Sequence, residues 1–332
     1  MNPVAISVGS VVIYWSSLII ALGAAAWLAL GLALYTTDGG HWSAPVVCFP
    51  FAVLFSVLLS RLLHWYCHAE QYAGFLPAMT DYSAGGYCLP GLLLGVTLAA
   101  LLVTRLRFAE SSARLLDALA PGAALGVAMI RLSALFGSAC RGKQLITRPQ
   151  LQHLPLAAPV VSASGAVEYR FASFFIQFLL LLALALWLLR FYLRERRAPM
   201  KRGSSAGAAA AMFLVFYSAT ELVIDSTRYD SSFLRSNGFV SLAQIVAAGC
   251  ILGVLIWYSR RSIRANRLRL FHWLLWLLWL AGLAATGGLE YLVQRHGDWY
   301  LLCYSLMSLA CLCMALAPWL MYRSIRRRRS LF

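Results

Sequence analysis

Charged side chains are scarce in this sequence. Asp, Glu, Lys and Arg together make up 12% of its 332 residues, which is about half of the share usual in soluble domains. Hydrophobic residues make up 61%, and a soluble globular fold cannot bury that much apolar surface. The composition therefore excludes a soluble domain, a secreted disulfide scaffold and a disordered chain, and it predicts a membrane-embedded protein with several spanning segments.

Acidic residues are the scarcer of the two charge signs. The chain has 12 Asp and Glu against 28 Lys and Arg, which gives a net charge of +16. So large a positive charge is also typical of nucleic-acid-binding proteins. The basic residues, however, cluster in the short connections between apolar runs, where membrane topology accounts for them. We therefore expect no nucleic-acid partner.

Cysteine and histidine patterns that would bind a metal are also missing. No CxxC pair occurs among the eight cysteines, and several of them lie inside apolar runs, where a thiol behaves as a small hydrophobic group. His64 and His68 are spaced i, i+4, which can place two imidazoles on one metal ion. No third and fourth ligand accompanies them in the sequence, so we predict no metal and no other cofactor.

Nine apolar runs have the length of a membrane-spanning helix, which needs about 20 residues. They cover residues 11–35, 44–63, 87–104, 115–137, 171–193, 206–224, 239–258, 270–292 and 300–322. The predicted fold is therefore all-α, a polytopic transmembrane helix bundle. The first run has no basic leader and is too long for a signal peptide, so we interpret it as a retained helix.

The basic residues divide the connections into two groups. Of the 28 Lys and Arg residues, 19 lie in four segments: 105–114, 190–202, 259–269 and 323–332. The N-terminus and the other connections between the predicted spans hold few of them. Basic connections mark the cytoplasmic side of a membrane protein. This pattern predicts an N-terminus outside and a C-terminus in the cytoplasm, which an odd number of spans allows.

Among the charged residues within the predicted spans or just beyond them, five are candidate site residues. Arg61 is in the second run and Arg131 in the fourth, while Glu221, Asp225 and Arg228 lie near the end of the sixth. Glu221 and Asp225 are spaced i, i+4 and therefore share one helix face. Two interpretations stay open: the charged side chains form a structural ion-pair network, or they line a polar cavity that opens toward the outer leaflet.

Six segments follow one another in a recognisable order. They are ISVGSVVIYWSSLIIALG, SRLL around Arg61, GGYCLPGLLLGVTLAALLVTRLR, LLDALAPGAALGVAMIRLSALFGSACRGK, FYSATELVIDSTRYD and GFVSLAQIVA. In this order and spacing, residues 3–258 resemble the bacterial prolipoprotein diacylglyceryl transferase family. The resemblance implies a multi-pass protein of the bacterial plasma (inner) membrane, with a seven-helix transferase-like domain in residues 1–258. Residues 259–332 would add a basic loop, two extra C-terminal helices and a basic tail.

The family signature, Arg-x-Gly-Asn-Phe-x-Asn-x-Glu-x-x-Gly, is only partly present. Arg131 and Gly142 stand at its two ends. The family's Gly, Asn, Asn and Glu between them are replaced by Ser133, Ala134, Gly137 and Ala139. Pro90 stands where the family has a histidine, and Glu221 stands where its sixth helix has an arginine. The chain therefore resembles a diverged member.

The family's reaction moves a diacylglyceryl group from phosphatidylglycerol to the thiol of a lipobox cysteine, and glycerol phosphate leaves. The implied partners are phosphatidylglycerol, or another anionic phospholipid, and a prolipoprotein signal-peptide segment. The candidate substrate-binding residues are Arg131, Arg61, Arg228, Tyr217, Tyr14, Arg141 and Gly142. Arginines suit this role because they bind phosphate oxygens bidentately.

A base is also expected, since the thiolate and not the thiol is the nucleophile. Glu221 or Asp225 would serve as that base, and His64 is a further catalytic candidate.

Two other functions stay open. The replacements at Pro90, Ala134, Gly137 and Ala139 favour a non-catalytic lipid- or lipopeptide-binding membrane protein on the same scaffold. A transporter that uses the buried charges as a coupling site is the third possibility, although the sequence has no pair of broken helices that would favour it.

Overall fold

The computed structural model describes residues 3–8, 11–80, 88–137, 139–161, 165–197, 206–233, 238–264, 270–297 and 299–327. Helices dominate these residues. They are α1 (Trp15–Thr37), α2 (Ser43–Cys67), α3 (Phe75–Thr80), α4 (Leu89–Arg105), α5 (Ser112–Ser133), α6 (Pro149–Gln152), α7 (Ser173–Arg197), α8 (Ala208–Thr227), α9 (Leu242–Arg264), α10 (Leu270–Arg295) and α11 (Tyr300–Arg327). Within the described residues, eight helices are long and apolar enough to cross a membrane, and α4 is a shorter apolar helix. The predicted polytopic helical membrane bundle is confirmed.

Each of the nine predicted runs corresponds to one helix, and most predicted ends lie within a few residues of the observed ones. The largest differences are at the C-terminal ends of α9 and α11, which continue to Arg264 and Arg327. A long arginine side chain can reach the membrane surface from a position such as Arg264. A helix can therefore extend beyond the apolar run that predicts it.

The first predicted run begins too early. Its first four residues form strand β2 (Val11–Tyr14), which pairs antiparallel with β1 (Val4–Val8). β-Branched residues favour strands over helices, and residues 11–13 are Val, Val and Ile. The Trp15 N–H donates to the Pro3 carbonyl at 3.0 Å, so the hairpin leads directly into α1.

A second hairpin lies in the connection between α5 and α7, for which the sequence predicts no regular structure. Strand β3 (Ala157–Val161) pairs antiparallel with β4 (Val167–Phe171), in a register that places Ala157 opposite Phe171. An isolated bridge between Leu145 and Arg170 extends the pairing to the segment before β3. The hairpin positions Phe171 and the start of α7 beside the signature-like segment described below.

The chain divides into two compact units, which comprise residues 1–49, 103–198 and 227–231 in the first and residues 50–102, 199–226 and 232–332 in the second. In the first unit, α5 packs against both α1 and α7. A Cβ atom on Gly23 of α1 would lie 2.6 Å from the Met129 Cβ of α5. Glycine thus permits the close approach that is typical of membrane helices, and this packing fixes the end of α5, where Arg131 lies.

In the second unit, α11 packs against both α9 and α10. The part of α2 that belongs to this unit lies against α4, and the Ser60 hydroxyl donates to the Cys88 carbonyl at 2.8 Å. A Cβ atom on Gly91 would collide with the backbone of Ser60. Glycine is therefore required at this contact, which also fixes the neighbouring Arg61.

Substituting Gly23 tests the close packing of α1 on α5. We expect Gly23→Ala to lower the free energy of unfolding by about 1–3 kcal/mol, because the added methyl group overpacks the contact with Met129. The matched control is Gly249→Ala in α9, where an added Cβ meets no atom within 4 Å. The control should be neutral or stabilising because alanine favours helix. Thermal unfolding in detergent measures both, and equal effects of the two substitutions would contradict the packing.

Candidate functional site

Two segments that are far apart in the sequence pair in the first unit, beyond the end of α5. Residues 140–143 lie antiparallel to residues 227–230, and Gly142 faces Arg228 in an isolated bridge. The Lys143 N–H donates to the Thr227 carbonyl at 2.7 Å. We call this pairing the 140–143/227–230 ladder. It joins the end of the signature-like segment to the end of α8.

Gly142 lies where the ladder meets β4. Its N–H donates to the Phe171 carbonyl at 2.7 Å, and a Cβ on Gly142 would lie 2.7 Å from the Phe171 Cβ. Real side chains do not approach this closely, so the position requires glycine. The structure therefore gives the last signature glycine a packing role, and its direct contact with substrate stays a prediction.

Arg131 lies in the last turn of α5 and is 4% exposed. Its Nη1 donates to the Cys140 Sγ at 3.1 Å. Cys140 has a φ of 58°, a left-handed conformation that non-glycine residues rarely adopt. The Phe174 N–H donates to the Cys140 carbonyl at 3.2 Å, so the start of α7 helps to hold this residue in place.

Asp230 links Cys140 to Arg228. One carboxylate oxygen accepts the Cys140 N–H at 2.9 Å, and the other accepts the Arg228 Nε–H at 3.0 Å. Burial alone would raise the pKa of Asp230, but the Arg228 guanidinium and these hydrogen bonds hold it below its ordinary value. The carboxylate is therefore ionised at neutral pH. Asp230 was not among the residues predicted from the sequence. Its only signal there is that it is a third acidic residue close behind Glu221 and Asp225.

Arg141 is the most deeply buried cation in the ladder, at 3% exposed. Its Nη2 donates to the Gly137 carbonyl at 2.7 Å, and its guanidinium lies 4.5 Å from the centre of the Phe174 ring. Within the described residues, Nε and Nη1 meet no hydrogen-bond acceptor. Burial lowers the pKa of Arg141, although Tyr229 and Cys140 act in the opposite direction. An anionic oxygen is the group that would complete this environment.

Tyr14 is the last residue of β2 and directly precedes α1. Tyr14 is 46% exposed. The next residue, Trp15, stacks on Phe136 with ring centres 6.1 Å apart. Phe136 lies in the short 3₁₀ turn that follows α5. This contact brings the start of α1 to the end of α5, while the predicted contact between Tyr14 and substrate stays a prediction.

In the second unit, Tyr217, Glu221 and Asp225 are all buried in α8. Their i, i+4, i+8 spacing places them on one helix face, which the sequence predicts for Glu221 and Asp225. The Ser241 hydroxyl donates to the Asp225 carboxylate. Ser241 and Gln244 also cap α9 reciprocally, with backbone-to-side-chain hydrogen bonds of 2.9 and 3.1 Å. Asp225 is thereby fixed at the N-terminus of α9, where the helix dipole favours a negative charge.

Arg61 and His64 lie one turn apart on α2, also in the second unit. The buried Arg61 guanidinium donates to the Ala78 carbonyl and lies 6.0 Å from the centre of the Tyr72 ring. The His64 ring stacks on His68 at 4.3 Å. Across the part of the chain that the structure describes, no group of three or more His, Cys, Asp or Glu residues could hold a metal ion.

The structure thus groups the predicted residues within each unit. In the first unit, Arg141, Gly142 and Arg228 lie on the ladder, and Arg131 contacts it through Cys140. In the second unit, the three candidate residues of α8 lie on one helix face. We predicted that the charged side chains line one polar cavity, and this stays a prediction.

The described part of the chain defines a class of protein: a multi-pass membrane protein, with Arg131 and Arg141 buried at and just beyond the end of α5. The comparisons with known proteins narrow this class. The sequence model of the family described as prolipoprotein diacylglyceryl transferase matches residues 3–260. The chain therefore belongs to the prolipoprotein diacylglyceryl transferase family, and it is a multi-pass protein of the bacterial inner membrane.

Several curated relatives are similar over most of their length. A phosphatidylglycerol–prolipoprotein diacylglyceryl transferase of Parasynechococcus marenigrum is 28% identical over 275 residues, which cover 78% of this chain and 94% of the relative. Proteins of the same name from Bacillus cereus and Bacillus licheniformis are each 25% identical, and the matches cover 89% and 93% of those relatives. The predicted family resemblance is confirmed.

Substituting Asp230 tests the charge that links Cys140 to Arg228. Since the folded protein holds the pKa of Asp230 below its ordinary value, the ionised carboxylate stabilises the fold above the unfolded-state pKa, about 4. This stabilisation is lost as the pH falls through the lower folded-state pKa. In detergent, thermal stability should therefore decline less steeply below about pH 4 in Asp230→Asn than in the native protein. Identical acid profiles would contradict the account.

Proposed function

We propose that this protein transfers the diacylglyceryl group of phosphatidylglycerol to the thiol of a lipobox cysteine in a prolipoprotein. The thiolate sulfur forms a bond to the terminal glyceryl carbon, and the bond between that carbon and the phosphate oxygen breaks. Glycerol phosphate leaves with the bonding electron pair, and the thiol proton passes to a protein base. Family membership and the names of the relatives support this reaction.

The observation that carries the proposal is a set of three arginines that we call the cationic cluster. Arg141 and Arg228 lie on the 140–143/227–230 ladder, and Arg131 contacts the ladder through Cys140. Arg131 and Arg141 are buried, and Arg228 is oriented by Asp230. A buried guanidinium has lost its hydration and favours an anion over water. The phosphate of an anionic phospholipid supplies that charge, with oxygens that match the guanidinium geometry.

Glu221 stands where the resemblance places an arginine of the family. At about 4 Å and an effective dielectric of about 20, a unit charge acts on phosphate with about 4 kcal/mol. The positive charge that binds phosphate must therefore come from other positions. We assign it to the cationic cluster, with Arg61 in a supporting role and Tyr217, Tyr14 and Gly142 as further substrate-binding residues.

Glu221 is the carboxylate that we assign as base for the acceptor thiol. It is buried on the same face of α8 as Asp225, and Asp225 already accepts a hydrogen bond from Ser241. That bond favours an orienting role for Asp225. His64 on α2 is the alternative proton acceptor.

The proposal includes an orientation and a division of the chain. The N-terminus would lie outside and the C-terminus in the cytoplasm, because the basic connections mark the inner side. Residues 1–258 would form the transferase domain. Residues 259–332 would add a basic loop, the α10–α11 pair and a basic tail.

The second substrate would be the signal-peptide segment of the prolipoprotein, which carries the lipobox cysteine.

The alternative is a non-catalytic protein that binds lipid or lipopeptide on the same scaffold. Ala134, Gly137 and Ala139 favour it, since none of these residues carries a polar side chain that could replace those of the family signature. Pro90 favours it too, because proline cannot transfer a proton.

Lipid transfer is tested with purified protein in nanodiscs, labelled phosphatidylglycerol and a lipobox peptide. We expect a thioether product, and Arg131→Ala should reduce its formation at least about tenfold, the effect of losing a charge-assisted hydrogen bond. Arg196→Ala is the control, because Arg196 lies near the end of α7 and pairs with Asp38, the residue that follows α1, rather than with the ladder. Lipid binding that depends on Arg131 without any product would reject catalysis and support the binding alternative.

Arg141→Met tests whether burial of this cation serves binding. Methionine is apolar and flexible enough to fill the space beside Phe174, so the fold should be as stable as the native protein or more stable. The affinity for phosphatidylglycerol should fall about tenfold or more. Calorimetry and a lipid-binding titration measure the two effects. Loss of stability with unchanged affinity would show that Arg141 is purely structural.

A further inference from the structure

The signature segment of this chain offers Arg131 few polar side chains. Ala134, Gly137 and Ala139 have none, and the Ser133 hydroxyl donates to the Ile130 carbonyl at 2.7 Å. Cys140 follows at a position where the family signature specifies no residue. Its sulfur accepts a hydrogen bond from Arg131 Nη1 at 3.1 Å.

The backbone of Cys140 is held in a conformation that a free chain avoids. Its φ of 58° places an L-residue in the left-handed region, which glycine adopts much more readily. Two hydrogen bonds hold it there: its N–H donates to Asp230, and its carbonyl accepts from Phe174. The fold therefore fixes the direction of the thiol, and Asp230 is in turn fixed by Arg228.

We propose that Cys140 is a positioning residue for the phosphate-binding arginine, an inference that rests on the proposed function. Its thiol orients the Arg131 guanidinium. Asp230 holds the Cys140 backbone in the conformation that lets the thiol contact that guanidinium. No covalent step takes place at Cys140.

The physical advantage is preorganisation. An arginine side chain has many rotamers, and ordering them on binding reduces affinity. A hydrogen bond at Nη1 restricts the guanidinium before the lipid arrives, and bidentate binding of phosphate requires a defined guanidinium plane. The contact should therefore act mainly on the affinity for phosphatidylglycerol.

Two substitutions of Cys140 separate positioning from folding. Cys140→Gly removes the thiol and also relieves the left-handed backbone, so thermal stability should be unchanged or higher. Its KM for phosphatidylglycerol should rise about tenfold at saturating lipobox peptide, with a smaller change in kcat. Cys140→Ser keeps a hydrogen-bond acceptor and should restore most of the affinity. Cys313→Ser in α11 is the control and should leave KM unchanged.

Direct titration with phosphatidylglycerol in nanodiscs accompanies the kinetics. A native KM and a native affinity in Cys140→Gly would overturn the positioning role while leaving the proposed function intact. So would equal losses of affinity and stability in the Gly and Ser variants, since these indicate a purely structural cysteine. If the native protein forms no product, the proposed catalysis fails, and the titration alone decides the positioning role. Absence of phosphatidylglycerol binding to the native protein would overturn both.

Discussion

The antiparallel pairing of residues 140–143 with residues 227–230 is the constraint on which the site of the first unit depends. It ties the loop after α5 to the end of α8 through backbone hydrogen bonds. Asp230 then connects Arg228 to Cys140, and Cys140 connects to Arg131. Three guanidinium groups thus depend on one short ladder.

A membrane protein tolerates irregular backbone only where its polar groups are satisfied within the protein or by water. The first unit meets this requirement with β4, the ladder and the start of α7, where Gly142 allows the strands to approach. Burying arginine in such a place is unfavourable without an anion or an acceptor. The arrangement therefore favours a binding role for Arg141 over a stabilising one, and it explains why a phospholipid phosphate is the ligand that we assign.

Hydropathy predicted the spans because a membrane-crossing helix must be apolar for about 20 residues. The family resemblance selected Arg131, Gly142 and Arg228 as candidates, and the structure brings these three residues to the ladder region. Hydropathy does not predict the hairpin before α1, because a short β-branched strand is as apolar as the helix that follows it. Nor did the resemblance predict the role of Asp230, because a contact between residues 90 positions apart depends on tertiary structure. The thiol of Cys140 was left undecided for the same reason, since the sequence does not show what lies beside it.

The most direct measurement is an experimental structure of the protein with bound phosphatidylglycerol. The account predicts that the lipid phosphate lies on the cationic cluster, with oxygens that accept from Arg131 and from Nε or Nη1 of Arg141. A phosphate bound away from these arginines, with the Arg141 donors satisfied by a protein carboxylate, would contradict it.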